Sequence, residues 1–272
     1  KIMSQMGYLA STMGNHDFDN GLKGFSNVLH HANFPFICSN YDFSETTLKN
    51  KTIKFLIKEI DGIKIGFFGL GIKLEGLVEK KCFDNTKYLD PIKTSKFWAE
   101  ELKIKKKCDL VVCISHLGHY YEDGKISDVL LARQSKNIDV IIHVAGMNSR
   151  QSYNKPKDAI YIKKNFTKEL IKIAEKQNVK KFFFISTAHV YSDFLNKRYS
   201  EKSVTKNTHP YALSNIEGEK MLLKHNKKNS KIKIFILRLS NSFGKPIDYR
   251  VNCWKLFVND LCYQSVKDKK MI

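Results

Sequence analysis

Two polar side chains on a glycine-flanked segment, Asn15 and His16, are the first residues that could do chemistry. They belong to the run Gly-Asn-His-Asp-Phe-Asp-Asn-Gly at residues 14–21. A carboxamide oxygen can coordinate a divalent cation, and a neighbouring imidazole can contact a phosphate. A turn rich in Asn, Asp and Gly explains the same composition without chemistry. His116 follows the apolar run of residues 110–114, at the carboxyl end of a predicted strand, which favours the functional interpretation.

Small and hydroxyl-bearing residues of the second half indicate a different kind of site. The apolar run of residues 138–144 ends in Ala145 and Gly146, where a flat ligand can approach the backbone. Thr187 closes a later apolar run, and a hydroxyl at the end of a strand is suited to hold a substrate oxygen. Tyr211 opens a predicted helix behind a proline.

The elements that must position these residues form an α/β pattern, because apolar runs alternate with amphipathic stretches. Strands are predicted at residues 63–70, 110–115, 138–144, 181–186 and 232–239. Helices are predicted at residues 21–32, 91–106, 127–135, 158–177, 210–225 and 252–264. No polar linker separates the two halves, although two fused domains usually leave one.

Residues 1 to about 142 resemble the catalytic domain of calcineurin-like metallophosphoesterases of the 5'-nucleotidase branch. The matching segments are residues 14–21, Phe34-Pro35-Phe36, Ser39-Asn40, residues 62–66, Tyr88-Leu89-Asp90-Pro91, and residues 108–112 leading to Ser115-His116-Leu117-Gly118. The resemblance implies that Asn15 and His116 are ligands in a two-metal site for Mn, Mg or Zn. It implies that His16 stabilises the transition state or protonates the leaving group, while the metals activate a water.

The chain departs from this family at its metal ligands. The family's Asp-x-His and Gly-Asp pair would lie before Lys1, and its Gly-His-x-His is replaced by His-Val-Ala-Gly at residues 143–146. With about two of the usual ligands left, we expect metal binding to be weak or lost. His16 and His116 are then expected to be polar residues of a folded relic.

Residues from about 138 to 272 resemble the extended short-chain dehydrogenase/reductase family, the NAD-dependent epimerases and dehydratases that act on sugar nucleotides. Four segments carry the resemblance, at residues 138–146, 179–191, 211–214 and 238–244. The resemblance implies that Ala145 and Gly146 line an NAD(P) site. It also implies that Thr187 bonds the reacting sugar hydroxyl, that Tyr211 is the general acid/base, and that Asn241 contacts the nucleotide end of the substrate.

This second family pattern is also broken. The family's Tyr-x-x-x-Lys has Asn215 in place of its lysine, and a neutral amide cannot supply that charge. Lys163 stands where many relatives carry an Asn near the nicotinamide. The glycine-rich phosphate loop is missing, and the glycines of residues 66–71 miss its spacing. We therefore expect NAD(P) binding to be weak or lost.

The composition excludes several other classes of protein. The formal net charge is +20, but only five of the 47 basic residues are arginine and the lysines are scattered, which disfavours nucleic-acid binding. The six cysteines form no Cys-x-x-Cys pair, which is typical of a reduced setting. No apolar run approaches the length of a membrane span. The chain as written predicts a cytoplasmic protein, and a signal segment before Lys1 would instead direct export to the periplasm or beyond. The oligomeric state is left open.

The sequence predicts a partial metallophosphoesterase α/β sandwich joined to the C-terminal part of a Rossmann-like α/β sheet. The boundary is expected near residue 140, giving domains 1–140 and 141–272, with the seam inside strand 138–144, which could join both half-sheets in one layer. We favour a fusion of two incomplete enzymes, inactive or weakly active. The alternatives are a sugar-nucleotide enzyme completed by a partner or missing segment, and a non-catalytic protein that binds a nucleotide or phosphate.

Overall fold

The computed structural model describes residues 2–5, 7–118, 121, 124–191, 198–226, 231–240 and 264, and its fold is mixed α/β. The first half contains α1 Ile2–Gln5, α2 Gly21–Leu29, β1 Tyr41–Asp42, β2 Phe55–Ile60, β3 Ile63–Gly71, α3 Lys80–Phe83, β4 Lys87–Tyr88, α4 Pro91–Glu100, β5 Leu110–His116 and α5 Asp128–Gln134. The second contains β6 Val140–His143, α6 Ser149–Asn154, α7 Pro156–Ile160, α8 Thr167–Lys176, β7 Lys181–Thr187, α9 Pro210–Asn226 and β8 Lys233–Leu239. A π-helical segment, Glu101–Lys105, extends α4, and another, Tyr161–Phe166, joins α7 to α8.

The five predicted strands correspond to β3, β5, β6, β7 and β8, and the first five predicted helices correspond to α2, α4, α5, the continuous α7–α8 and α9. The sixth predicted helix, residues 252–264, lies outside the described residues apart from Gln264. The strands β1, β2 and β4 and the helices α1, α3 and α6 were not predicted. Most of these elements are two to four residues long, too short to show a hydrophobic period, and none of them lies in a long apolar run.

The first large sheet has the order β2-β3-β5. β2 and β3 form an antiparallel hairpin whose turn residues Asp61 and Gly62 have φ of 50° and 75°, the positive values that a type I′ turn requires. β5 runs parallel to β3, with Leu70 opposite Ser115 and Gly71 opposite His116. The pairing brings the carboxyl end of β5, and with it His116, to the carboxyl end of β3.

A polar clamp fixes this end of β3. The Asn40 side chain donates from Nδ2 to the carbonyl of Gly71 and accepts the Gly71 amide at Oδ1, both at 2.8 Å. The neighbouring Ser39 Oγ accepts the Gly69 amide at 2.9 Å. Asn40 is fully buried, so these bonds satisfy backbone groups that water does not reach. The Ser39-Asn40 pair therefore positions the strand rather than a ligand.

The second large sheet is parallel, in the order β6-β7-β8, with Val140 opposite Lys181 and Lys181 opposite Lys233. Parallel strands joined by helices are the Rossmann-like arrangement that the sequence predicted. The expectation of one continuous layer is wrong, because β5 and β6 belong to different sheets. Between them the Asp139 amide donates to the carbonyl of Val111 at 3.3 Å, and the strands then part without a regular ladder.

Helix α5 packs against both halves. Its Leu131 belongs to the core that contains Phe68 and Leu102, whereas its Val129 belongs to the core that contains Phe182 and Ile171. The two halves are thus joined at the seam by a helix that packs against both, as well as by the hydrogen bond of Asp139. None of the helices in the described part of the chain is long and apolar enough to span a bilayer.

Candidate functional sites

The first candidate site begins at the 3-10 turn Asn15–Phe18. The amide of Gly14 donates to Asp17 Oδ2 at 2.8 Å, which closes the turn. Burial raises the pKa of the Asp17 carboxyl above its ordinary value. His16 points outward, and its Nδ1 lies 3.0 Å from Oδ2 of Asp19, both side chains being exposed. The turn therefore presents an imidazole that is already paired with a carboxylate.

The structure brings together Asn15 and His116, the two metal ligands predicted from the sequence. Asn15 Oδ1 and His116 Nε2 lie 3.3 Å apart although 101 residues separate them. The imidazole of His116 lies against Gly14, where an added Cβ would come within 2.7 Å of the ring. A side chain at position 14 would thus displace the exposed imidazole of His116.

The separation of these two atoms fits part of a cation site. Ligand distances of ~2.1 Å place two ligands of one cation roughly 3.0–3.4 Å apart. Within the described residues, however, no group of three or more His, Cys, Asp or Glu could hold a metal. His143, which opens the segment replacing Gly-His-x-His, is buried and packs edge-on against Phe166 with ring centroids 5.2 Å apart. The residues described here fit two ligands of one cation and do not fit a two-metal centre.

The second candidate site begins after β6, where Ala145 is half-buried and Gly146 is exposed. The buried side chain of Lys163 occupies the space beside this glycine. A Cβ on Gly146 would lie 2.7 Å from Lys163 Cε. The ammonium donates to the carbonyl of Ile185 at 2.9 Å and lies 4.8 Å from the Phe184 ring centroid. Burial lowers the pKa of Lys163 to about 8.

The position of Lys163 determines whether a dinucleotide can bind beside Gly146. Because the lysine stem lies where a Cβ would be, a flat ring could contact Gly146 from that side only after Lys163 had moved, although the residue is exposed elsewhere. On that side the residues present fit poorly the cofactor that the family resemblance implies.

Thr187 and Tyr211 are brought to the same end of the sheet by His189. The His189 amide donates to Thr187 Oγ1 at 3.2 Å, and the Tyr211 amide donates to His209 Nδ1 at 3.2 Å. The rings of His189 and Tyr211 meet edge to face at 6.2 Å. Thr187 is buried, and its hydroxyl caps the 3-10 turn that follows. Asn241, the predicted contact for the nucleotide end, lies outside the described residues.

Asn215 is buried one helical turn after Tyr211. Its Nδ2 donates to the backbone carbonyl of Tyr211 at 2.8 Å, so the amide is bonded within the helix. A lysine in the family pattern would bring a positive charge to this turn. Position 215 instead contributes a neutral group directed at the backbone.

Sequence reasoning missed a buried ion pair behind this site. Arg238 donates to both carboxylate oxygens of Glu219, at 2.6 to 3.1 Å, and this pairing raises the pKa of the guanidinium. Ser186 Oγ donates to Glu219 at 2.5 Å. The signal was an arginine inside an apolar strand, since a buried arginine needs a carboxylate partner. The pair fixes α9, which carries Tyr211, against β7 and β8.

Comparison with known proteins identifies two family models along this chain. The model described as calcineurin-like phosphoesterase matches residues 3–145, and the model described as NAD dependent epimerase/dehydratase family matches residues 105–252. The two matches overlap over residues 105–145, the segment from the end of α4 to β6.

Curated relatives and solved structures fall into the same two groups. A 5'-nucleotidase of Vibrio cholerae is 34% identical over 149 residues, covering 52% of this chain and 27% of the relative. An apyrase of Tabanus yao is 32% identical over 116 residues, covering 42% of this chain and 21% of the apyrase. The chain thus spans about a quarter of the length of these relatives. Among similar solved structures, a 5'-nucleotidase precursor from Thermus thermophilus is 26% identical, with 54% of this chain and 28% of that chain covered and a TM-score of 0.46. A UDP-glucose 4-epimerase from Bifidobacterium longum is 25% identical, with 52% of this chain and 48% of that chain covered and a TM-score of 0.40.

Proposed function

Since the chain belongs to the calcineurin-like phosphoesterase family through residues 3–145 and to the NAD dependent epimerase/dehydratase family through residues 105–252, we propose that it is a fusion of two incomplete enzymes. We place the boundary between residues 140 and 141. The fusion is inactive or weakly active toward nucleotides and sugar nucleotides, the substrates that its two ancestries imply.

The side chain of Asn215 is the single observation that carries this proposal. A tyrosine acts as a general acid/base near neutral pH only when a neighbouring positive charge lowers its pKa. Asn215 is neutral and its amide is bonded to the Tyr211 carbonyl. Losing a tuned acid/base costs on the order of 10²–10⁴-fold in rate. Asn215 therefore cannot supply to Tyr211 the positive charge that the family's lysine would supply.

Lys163 supports the same proposal on the cofactor side. NAD(P) supplies the hydride acceptor in the epimerase/dehydratase family. In this chain the Lys163 stem lies against Gly146 on the side where a Cβ would be, which narrows the space beside the end of β6. A ligand there would have to displace an ammonium that is bonded to the Ile185 carbonyl.

In the phosphoesterase half, two side-chain contacts support the proposal that the fused enzymes are incomplete. Asn15 and His116 face each other, and His16 is held by Asp19. Two ligand atoms bind a divalent cation weakly compared with the four that a structural or catalytic zinc site uses. Asn15 and His116 therefore keep the relative position of two metal ligands, but we expect them to bind a divalent cation weakly.

Two assays on the purified full chain test the proposal. The first measures Mn²⁺-dependent phosphate release from AMP by the chain and by His116→Ala. The second measures epimerisation of UDP-glucose with added NAD⁺, with Tyr211→Phe as the matched control. We expect each variant to match the unmodified chain. Activity that disappears in His116→Ala or Tyr211→Phe would show that the corresponding site is catalytically competent.

A second candidate function is nucleotide or phosphate binding without turnover. It is favoured by the exposure of His16 and His116 at one end of β5, in a chain with a net charge of +20. Binding of AMP that persists without Mn²⁺ and is weakened by His16→Ala would support it, and binding unchanged by that substitution would contradict it.

A further inference from the structure

A cavity of about 240 Å³ lies at the seam, where β5 and β6 part. One side is formed by β5 and α5, and the other by β6 and α8, so both halves of the fusion contribute to it. The two helices are held together beside it, because Arg133 pairs with Glu169 and Gln177 Nε2 donates to the carbonyl of Arg133 at 3.1 Å. Two strands, β5 and β6, and two helices, α5 and α8, therefore form the walls of the cavity.

The walls of this seam cavity are mostly apolar. Leu131, Leu170, Ile173 and Ile142 are among the residues that line it. Ile142 is 52% exposed, which leaves the cavity open to solvent on the side of β6. A cavity of ~150 Å³ lined by such side chains is large enough to hold benzene. The seam cavity thus has room for one aromatic ring with a short substituent.

One acidic side chain, Asp128, reaches this apolar space. Ser115 Oγ donates to Asp128 Oδ1 at 2.5 Å, and both residues line the cavity. No lysine or arginine is found among the described residues that line it, and the titratable base in that lining, His143, is buried against the rings of Phe166 and Phe184. Burial raises the pKa of Asp128 to about 6, so the carboxylate is ionised above that pH. A charge held in apolar surroundings is stabilised by an opposite charge.

We propose that the seam cavity binds a small primary amine with an aromatic or branched apolar body, its ammonium paired with Asp128. The apolar body fills the space between α5 and α8, and the ammonium supplies the counter-charge that the lining lacks. The seam cavity uses none of the proposed metal ligands or acid/base groups, and it shares Ala145 alone with the proposed cofactor site.

The test compares 2-phenylethylamine with 2-phenylethanol, which has the same shape but no charge. Thermal denaturation of the full chain is followed at increasing concentrations of each compound, slightly above neutral pH. We expect the amine to raise the melting temperature with an apparent affinity at least about tenfold tighter than that of the alcohol, the factor that 1.4 kcal/mol of charge pairing corresponds to. In Asp128→Asn the two compounds should become equivalent.

Ala132→Leu is the second variant, because its larger side chain fills part of the cavity while the Asp128 carboxylate is retained. It should weaken binding of the amine at least about tenfold, and it keeps the test decisive if Asp128→Asn fails to fold. Equal effects of amine and alcohol on the unmodified chain would overturn the proposal, as would no effect of either. Retained amine preference in Asp128→Asn, or unchanged binding in Ala132→Leu, would overturn it as well.

Discussion

The carboxylate of Asp139 accepts a hydrogen bond from the backbone amide of Val111 at 3.1 Å. The carbonyl of the same residue accepts the amide of Lys180 at 2.9 Å. Asp139 therefore bonds at once to β5 in the phosphoesterase half and to the start of β7 in the epimerase half. Lys103 completes the arrangement, with Nζ 2.9 Å from the Asp139 carboxylate. One buried residue thus bonds to both halves at the seam.

Asp139→Ala should destabilise the protein by ~3 kcal/mol or more, because it leaves a partly buried ammonium and the Val111 amide without their partner. Urea denaturation followed by circular dichroism measures the change. Lys180→Ala is the matched control, since its ammonium is 64% exposed and 3.6 Å from Asp139. It should cost less than about 1 kcal/mol. Equal losses from the two variants would contradict the role given to Asp139.

Lys163→Met should change how stability depends on pH. Between about pH 8 and 10.5 the unfolded lysine keeps its proton while the folded one loses it, so the unfolded state binds more protons. Stability of the unmodified chain should therefore rise with pH across this window. Below it both states are charged and the full cost of burial, ~3 kcal/mol, is present.

Removing the Lys163 charge should make the protein more stable at neutral pH and flatten its stability between pH 8 and 10.5. Urea midpoints at neutral and alkaline pH measure both effects. Lys164→Met is the control, because its ammonium is 45% exposed and paired with Glu217. If Lys164→Met also made stability independent of pH in this range, the pH dependence could not be assigned to residue 163.

Gly14→Ala should displace the imidazole of His116, since the new Cβ would lie 2.7 Å from the ring. We expect a loss of stability of ~1–3 kcal/mol from this overpacking. The double variant Gly14→Ala/His116→Ala should recover much of that loss, because the clashing ring is gone. Thermal denaturation of both variants provides the test, and a double variant less stable than Gly14→Ala would contradict it.

Asn40→Ala should cost ~2–5 kcal/mol, because it removes two hydrogen bonds to Gly71 and leaves that buried backbone unsatisfied. Asn33→Ala, at an exposed position, should stay within ~0.5 kcal/mol of the unmodified chain. Chemical denaturation of both variants checks this difference. A small effect at residue 40 would mean that another group can satisfy the end of β3.

The sequence predicted the elements that carry a strong hydrophobic period, such as β3 and β5, and it placed Asn15 and His116 in one site. The Asp61-Gly62 dipeptide is also a local signal, typical of the two-residue turn that joins β2 and β3. The roles of Asp139 and Lys163 could not be predicted in the same way. Each depends on contacts between segments far apart in the chain, which neither periodicity nor a local motif encodes.

Calorimetric titration of the full chain with NAD⁺ in the presence of UDP-glucose tests the central claim, that the fused enzyme sites are incomplete, most directly. The unmodified chain should give no heat of binding, because the glycine-rich phosphate loop is missing, the Lys163 stem lies against Gly146 and residue 215 carries no charge. Lys163→Asn/Asn215→Lys, which restores both family residues, should bind no better, because it does not restore the phosphate loop. Saturable NAD⁺ binding by the unmodified chain, unchanged in the double variant, would contradict the account.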